Sequence, residues 1–541
     1  MKFLTRSAAA LVAVATLSAA GPGSAVPAKP DDKTILHVLN RIGFGARPGD
    51  VERVREIGLA KYIDQQLAPE RIADTAMATR LAGFETLTLS SRSIAQDYYV
   101  PAQMAKREAQ RANAADAKKD QPDAAPAPKE PRTPEEMQVA RKQREVLVEL
   151  TEQKILRAAY SERQLQEVMT DFWFNHFNVF AGKGPTQQYL TEYERDTIRP
   201  HVLGKFRDLL GATAKSPAML FYLDNWQSVD PEAGERMAAR REFAQRRFGF
   251  RAPPGRMPMP PPPQQQAKQP QKRGLNENYG RELMELHTLG VDGGYTQQDV
   301  VNVARAFTGW TIDQPRQGGG FRFDPRLHDD REKIVLGHKI KAGGEQSDGE
   351  QVLDLLAKHP STAHFLATKL VRRFVSDTPP PALVDRAAAT FRETDGDIRA
   401  VVRLIVTSPE FFAADAYRAK VKTPFEFVVS AVRASGADVV EATPLVQAVR
   451  QLGMPLYMCQ PPTGYADRGE AWVNTGALLN RMNFALQLVS GRMRAVRPGG
   501  ADVGVSLAGD ISTTTAATIA KASDPAQVAA LTLGSPEFQR R

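Results

Sequence analysis

The chain has 541 residues, 42% of them hydrophobic and 25% charged, with a formal net charge of +9 and a pI near 9.4. That length and apolar content admit a large core, and the single cysteine, Cys459, excludes an internal disulfide. The basic balance is local, because residues 228–273 hold ten Lys/Arg against four Asp/Glu, whereas a nucleic-acid enzyme carries its basic surface on the fold itself; nucleic acid is therefore excluded as a partner.

The first elements concern targeting. Lys2 and Arg6 precede a fourteen-residue apolar stretch at 7–20, and small residues follow it. This pattern reads as a signal peptide over residues 1–25, with Ala25 the last residue before cleavage. Fourteen residues cannot span a hydrocarbon layer of roughly 30 Å. The expectation is an exported protein of the periplasm or medium, with no transmembrane anchor in its mature form.

From residue 31 onward the apolar periodicity is helical, and the expected fold is mainly α. A helical lobe over 31–345 is expected to pack on a second over 346–541. Two low-complexity inserts interrupt the first lobe. Residues from about 105 to 135 are rich in Ala, Lys, Asp and Pro and read as disordered, as do 228–273, which contain MPMPPPPQQQ between basic stretches. Ser161 and Gln164 form an S-x-x-Q capping box opening a helix through Phe172. A further helix is expected from Glu277 to Leu289, stopped by Gly290, and Thr296 caps the next. FRF and IVL, separated by a polar turn, predict one small β-hairpin around 321–336. Helices are then expected at 362–375, 380–393 and 421–434. LIVTSPEF (404–411) and LTLGSPEF (531–538) echo one another, each reading as a helix end whose Phe folds back onto the core.

Standard catalytic signatures are absent: there is no G-x-S-x-G, H-E-x-x-H, Walker loop or paired C-x-x-C. What stands out is polar residues among aromatics. In TDFWFNHFNVF (170–180), Asp171, Asn175 and Asn178 share one helix face and His176 sits beside Asn175. Burying such groups is costly unless they are paired or bind something. NENYGRELMELHTLG (276–290) adds Glu282, Glu285 and His287, and the hairpin tip adds Asp324, His328, Asp329 and Asp330.

Carboxylates and imidazoles from three segments are the residue types that hold a divalent metal or share a proton. His176, Glu282 and His287 are accordingly the candidate catalytic residues. His176, Glu282, His328 and Asp329 are the candidate ligands of a divalent metal, in a metal-assisted hydrolase. The same residues also suit a buried network that only fixes the fold. The alternative function is a non-catalytic binding or scaffold protein, acting with another exported protein or, through 228–273, with an anionic surface polymer.

Seven motifs in order, HVLNRIGFG, FWFNHFNVF, NENYGRELMELHTLGVDGGYTQQDV, FTGW, HDDREKIVLG, HPSTAHFLATKL and PPTGYADRGEAWVNTGALLNRMNFA, resemble the domain of unknown function 1800 family across about 32–540, the inserts apart. The resemblance implies a bacterial, exported protein, often encoded beside a second exported family, which makes that neighbour a candidate partner. It assigns no reaction to any residue. The Gly-containing turn that often follows the His-Asp pair in the family is replaced here by Asp330 and Arg331.

Overall fold

The computed structural model describes residues 25–116, 133–233 and 274–541. The predicted signal peptide, apart from Ala25, lies outside the described residues, as do 117–132 and 234–273, the larger part of both predicted inserts. No helix among the described residues is long and apolar enough to cross a membrane.

The fold is mainly α, with three two-stranded sheets of two or three residues per strand among the described residues. The longer helices that build the site are α1 (Asp32–Arg41), α2 (Pro134–Tyr160), α3 (Gln164–His176), α4 (Glu277–Met284), α5 (Gln297–Ala306), α6 (Ser347–Lys358), α7 (Pro360–Phe374), α8 (Pro424–Ser435) and α9 (Thr475–Val489). Local chemistry explains their limits. Thr133 and Glu136 form a capping box opening α2, and Thr296 with Asp299 does the same for α5. Pro360 and Pro424 occupy the first helical position of α7 and α8, where a missing N–H costs nothing. Beyond α4 a wider turn over Glu285–Leu289 ends at Gly290, whose φ of 81° suits glycine.

Most buried apolar side chains from Ile35 to Phe538 make one large core, and Ile94, Tyr98, Tyr99 and Val146 form a small second cluster. Helix α8 lies deepest: all twelve of its residues are buried, including Glu426 and Arg433. The two echoing motifs behave alike, since Phe411 and Phe538 both lie in the turn that follows a helix and are buried. The last residues pair backbone to backbone with 420–422, Lys422 N–H donating to Gln539 O at 2.9 Å.

Several sequence expectations are corrected in detail. FRF does not pair with the IVL run. Strand β2 (Phe321–Phe323) pairs with β1 (Trp310–Ile312), and β3 (Lys333–Val335) with β4 (His338–Ile340), both antiparallel. A third pair, β5 (Asp438–Val439) with β6 (Val496–Arg497), joins distant segments. Ser161 does not cap α3. Its hydroxyl donates to Asp74 at 2.7 Å, while Gln164 donates back to the Ser161 carbonyl at 2.8 Å. Residues 105–116, expected to be disordered, belong to a helix that runs from Val100 to Asp116. At the start of the second insert Ser228, Val229 and Asp230 are buried, and Asp230 N–H donates to Leu327 O at 2.9 Å.

Candidate functional site

Helix α3 carries the polar-aromatic motif, and each of its polar side chains meets a distinct partner. Asp171 accepts an ion pair from Lys154 of α2 at 2.8 Å. Burial alone would lower the Lys154 pKa, but the carboxylates of Asp171 and Glu194 outweigh it and raise it. Asn175 treats the backbone of Tyr465 as a strand neighbour would, donating to its carbonyl at 2.8 Å and accepting from its N–H at 2.7 Å. Asn178 donates to Cys459 O at 3.0 Å and to Pro461 O at 2.8 Å. Two asparagines thus dock the 459–465 loop, part of the PPTGYADRG motif, against the end of α3. Gly464 makes the approach possible: its φ is 74°, and a Cβ there would stand 2.3 Å from Asn175 O.

His176 is different. Its Nε2 lies 3.1 Å from the carbonyl of His287, which can only accept, so Nε2 carries the hydrogen and Nδ1 offers a lone pair. Nδ1 is buried with no hydrogen-bond partner among the described residues. Burial, with the nearby positive charge of Lys369, lowers the His176 pKa well below the usual histidine value and keeps the ring neutral. His287 is likewise pushed down to about 3, chiefly by burial.

The structure therefore brings His176 and His287 together, ring centroids 6.3 Å apart. It does not assemble the rest of the predicted set around them. His328 belongs to another network, Nδ1 at 2.7 Å from Thr308 O and Nε2 at 3.2 Å from Asp348. Asp329 is fully buried and held by Arg305 at 2.8 Å and Arg331 at 2.6 Å. Burial would raise its carboxyl, but hydrogen bonds from both arginines hold it well below the usual range. Lys333, with no exposed side-chain surface, closes this second network on Asp348 at 2.7 Å. Glu282 is half-buried, and burial together with Glu285 raises its carboxyl. No group of three or more His, Cys, Asp or Glu among the described residues is placed to hold a metal ion. The spent bonds of His328 and Asp329 explain why: they fasten the 324–333 turn to α5 and α6.

The side chains that sequence reasoning missed surround a cavity beside His176. Lys369 and Arg373 enter it from α7, Glu426 from α8, Asp467 and Trp472 from the 454–472 loop, and Arg541 from the last turn. It offers about 50 Å³ to the centres of water-sized spheres, several times the roughly 10–15 Å³ that one water requires. Lys369 has no carboxylate within ion-pair distance among the described residues, and burial lowers its pKa. Arg373 could have been found from sequence. It falls three residues after Leu370 and seven after Leu366, on the apolar stripe of α7 where a charge is out of place.

Over residues 37–540 the chain matches the family model described as protein of unknown function (DUF1800). The chain belongs to this family. Among curated proteins and among solved structures, nothing matches it. The DUF1800 match takes in every cavity residue named above except Arg541, which follows its last matched position. Both the α3 motif and the docked loop are thus part of the family's span.

Proposed function

We propose that this DUF1800 protein is exported and acts as a binding protein, holding a small polar ligand in the cavity between α3, α7 and the 454–472 loop. The observation that carries this reading is unspent bonding capacity around this cavity. His176 offers a buried acceptor at Nδ1, and Lys369, which feels the charge of Asp467, makes no direct ion pair among the described residues. Native interiors rarely leave such groups unmet, and a ligand meets them. Metal-assisted hydrolysis is the weaker reading, because His328 and Asp329 are consumed by Asp348, Arg305 and Arg331.

Trp472 lines the cavity, its indole N–H donating to Ala466 O at 2.9 Å, and gives the readout. Titrating purified mature protein with small polar metabolites should change tryptophan fluorescence saturably. The change should vanish in Trp472→Phe, and affinity should fall in His176→Gln. A stoichiometric divalent metal in the purified protein, lost in His176→Ala while the protein stays folded, would restore the hydrolase reading. Export is tested by N-terminal sequencing, with mature chains expected to start near Val26.

A further inference from the structure

The inner wall of the cavity carries more positive charge than the described side chains neutralise. Arg373, Lys420 and Arg541 line it, with Arg41 and Arg481 buried nearby. Among the described residues two side-chain carboxylates, Glu426 and Asp377, answer these five cations, while Asp467 on the same lining acts on Lys369. Glu426 spends Oε1 on both Arg373 and Arg541 (3.1 Å to the latter), and Oε2 on the Thr423 N–H at 2.9 Å. Asp377 is taken by Lys420 and by the Gly469 N–H at 2.8 Å. Arg41, with no exposed surface, reaches only the carbonyls of Phe374, at 3.3 Å, and Ala416. Removing charges from water without matching them is strongly unfavourable.

The hydrogen-bond count agrees with the charge count. Nε and Nη2 of Arg373, and Nε and Nη1 of Arg541, are buried with no partner among the described residues. On Arg373 the free pair is the side edge of the guanidinium. There two N–H groups point the same way and grip two oxygens of one oxyanion. Water would satisfy these donors but would leave the mutual repulsion of the arginines in place. A negative charge answers both needs.

The geometry points to an anion site at the inner end of the cavity, where an oxyanion group of the ligand, a carboxylate, sulfate or phosphate, sits on the free edge of Arg373 and the unpartnered nitrogens of Arg541. This rests on reading the cavity as a ligand site and adds the ligand's class. Lys369, also on the lining, contributes a further positive charge that Asp467 offsets in part. His176 Nδ1, an acceptor, takes a hydroxyl or amino hydrogen from the uncharged part of the same molecule. The ligand is therefore a small acid, or a sulfate or phosphate ester, that also bears a donor group.

The test uses full-length mature protein dialysed into Tris chloride, titrated with acetate, sulfate and inorganic phosphate at ionic strength matched with sodium chloride. Calorimetry should show one site per chain for at least one of the three, with a rise in melting temperature; which anion does so names the group. Arg373→Gln should weaken that binding at least tenfold. Because Arg373 and Arg541 both touch Glu426, Lys369→Met, which leaves those ion pairs in place, serves beside Arg541→Gln as a second probe, with few-fold and tenfold losses. Binding no tighter than chloride, or undiminished in both arginine variants, overturns the anion site. If a neutral polar ligand quenches Trp472 while no anion binds, the cavity reading stands and the anion site falls. If anions bind through Arg373 but Trp472 never responds and His176→Gln binds normally, the anion site stands and the wider cavity reading falls.

Discussion

Glu426 shows how much one residue carries when the surrounding charge is unbalanced. Burial opposes its ionisation, yet Arg373 and Arg541 together hold the carboxyl well below the usual range. Removing one member of a buried ion cluster costs roughly 3–5 kcal/mol, because the charges left behind lose their compensation. Glu426→Gln should therefore destabilise the protein by about that amount in urea unfolding at neutral pH, and a change under about 1 kcal/mol would show that the cluster is hydrated. Lys422 offers a pH test of the same surroundings. Burial lowers its pKa from the ordinary 10.5 to about 7. Between those values the unfolded chain holds a proton that the folded chain lacks, so this residue makes stability rise with pH from 7 towards 10.5. The slope is at most about 1.4 kcal/mol per pH unit, and below pH 7 the penalty is constant. Subtracting the urea stability of Lys422→Met from that of the parent should expose this rise. A difference flat from pH 6 to 10 would mean that Lys422 keeps its proton when folded.

At the scale of elements, what the sequence makes legible is whatever depends on neighbours in the chain. The stripe of α7 and the Thr296 cap of α5 are local, and both form as the spacing predicts. Strand partners are not local. FRF finds WTI because Gln314 and Gly318 adopt left-handed conformations and Asp313 N–H donates to Gly320 O at 2.9 Å, closing a turn upstream of the one the sequence suggested. The site follows the same rule. Asn175 and Asn178 stood out as polar groups needing partners, but those partners lie 281 to 290 residues away. Glu426 meets Arg373 53 residues distant, and no local pattern announces that. The docked loop supplies an element-scale prediction. Gly464→Ala would drive a methyl into Asn175 O in a left-handed backbone, combining a steric clash with a φ penalty of roughly 1–2 kcal/mol. The loop should lift, seen as faster proteolysis within 454–472 and a lower melting temperature. A fully protected loop in the variant would mean that the asparagine contacts do not fix it.

At the scale of the whole molecule the question is what the basic insert contributes, and the places where it leaves and rejoins the fold frame the answer. Before it, Asp230 pairs with Arg331 at 3.2 Å and Glu232 with the same arginine at 2.6 Å. After it, Asn276 caps α4 through the Tyr279 N–H and donates to Leu223 O at 2.6 Å. Both anchor points are therefore set by contacts outside 234–273, a stretch with ten Lys/Arg and two Asp/Glu. Arg331 is also the residue that fastens Asp329, so the departing chain is tied to the network that absorbed the predicted metal ligands. Removing 234–272 and bridging with a short Gly/Ser linker keeps every one of these contacts. Closing a shorter loop changes the chain entropy by only about 0.6 kcal/mol per halving of length, so the melting temperature should stay nearly unchanged. A run of uncompensated cations attracts anionic surfaces in a salt-dependent way. Retention on vesicles containing anionic lipid, or on a sulfated glycan, should fall sharply in the deletion at low salt and converge with the parent at high salt. Equal retention of both proteins at low salt would make the insert a spacer and place any surface attraction on the folded part.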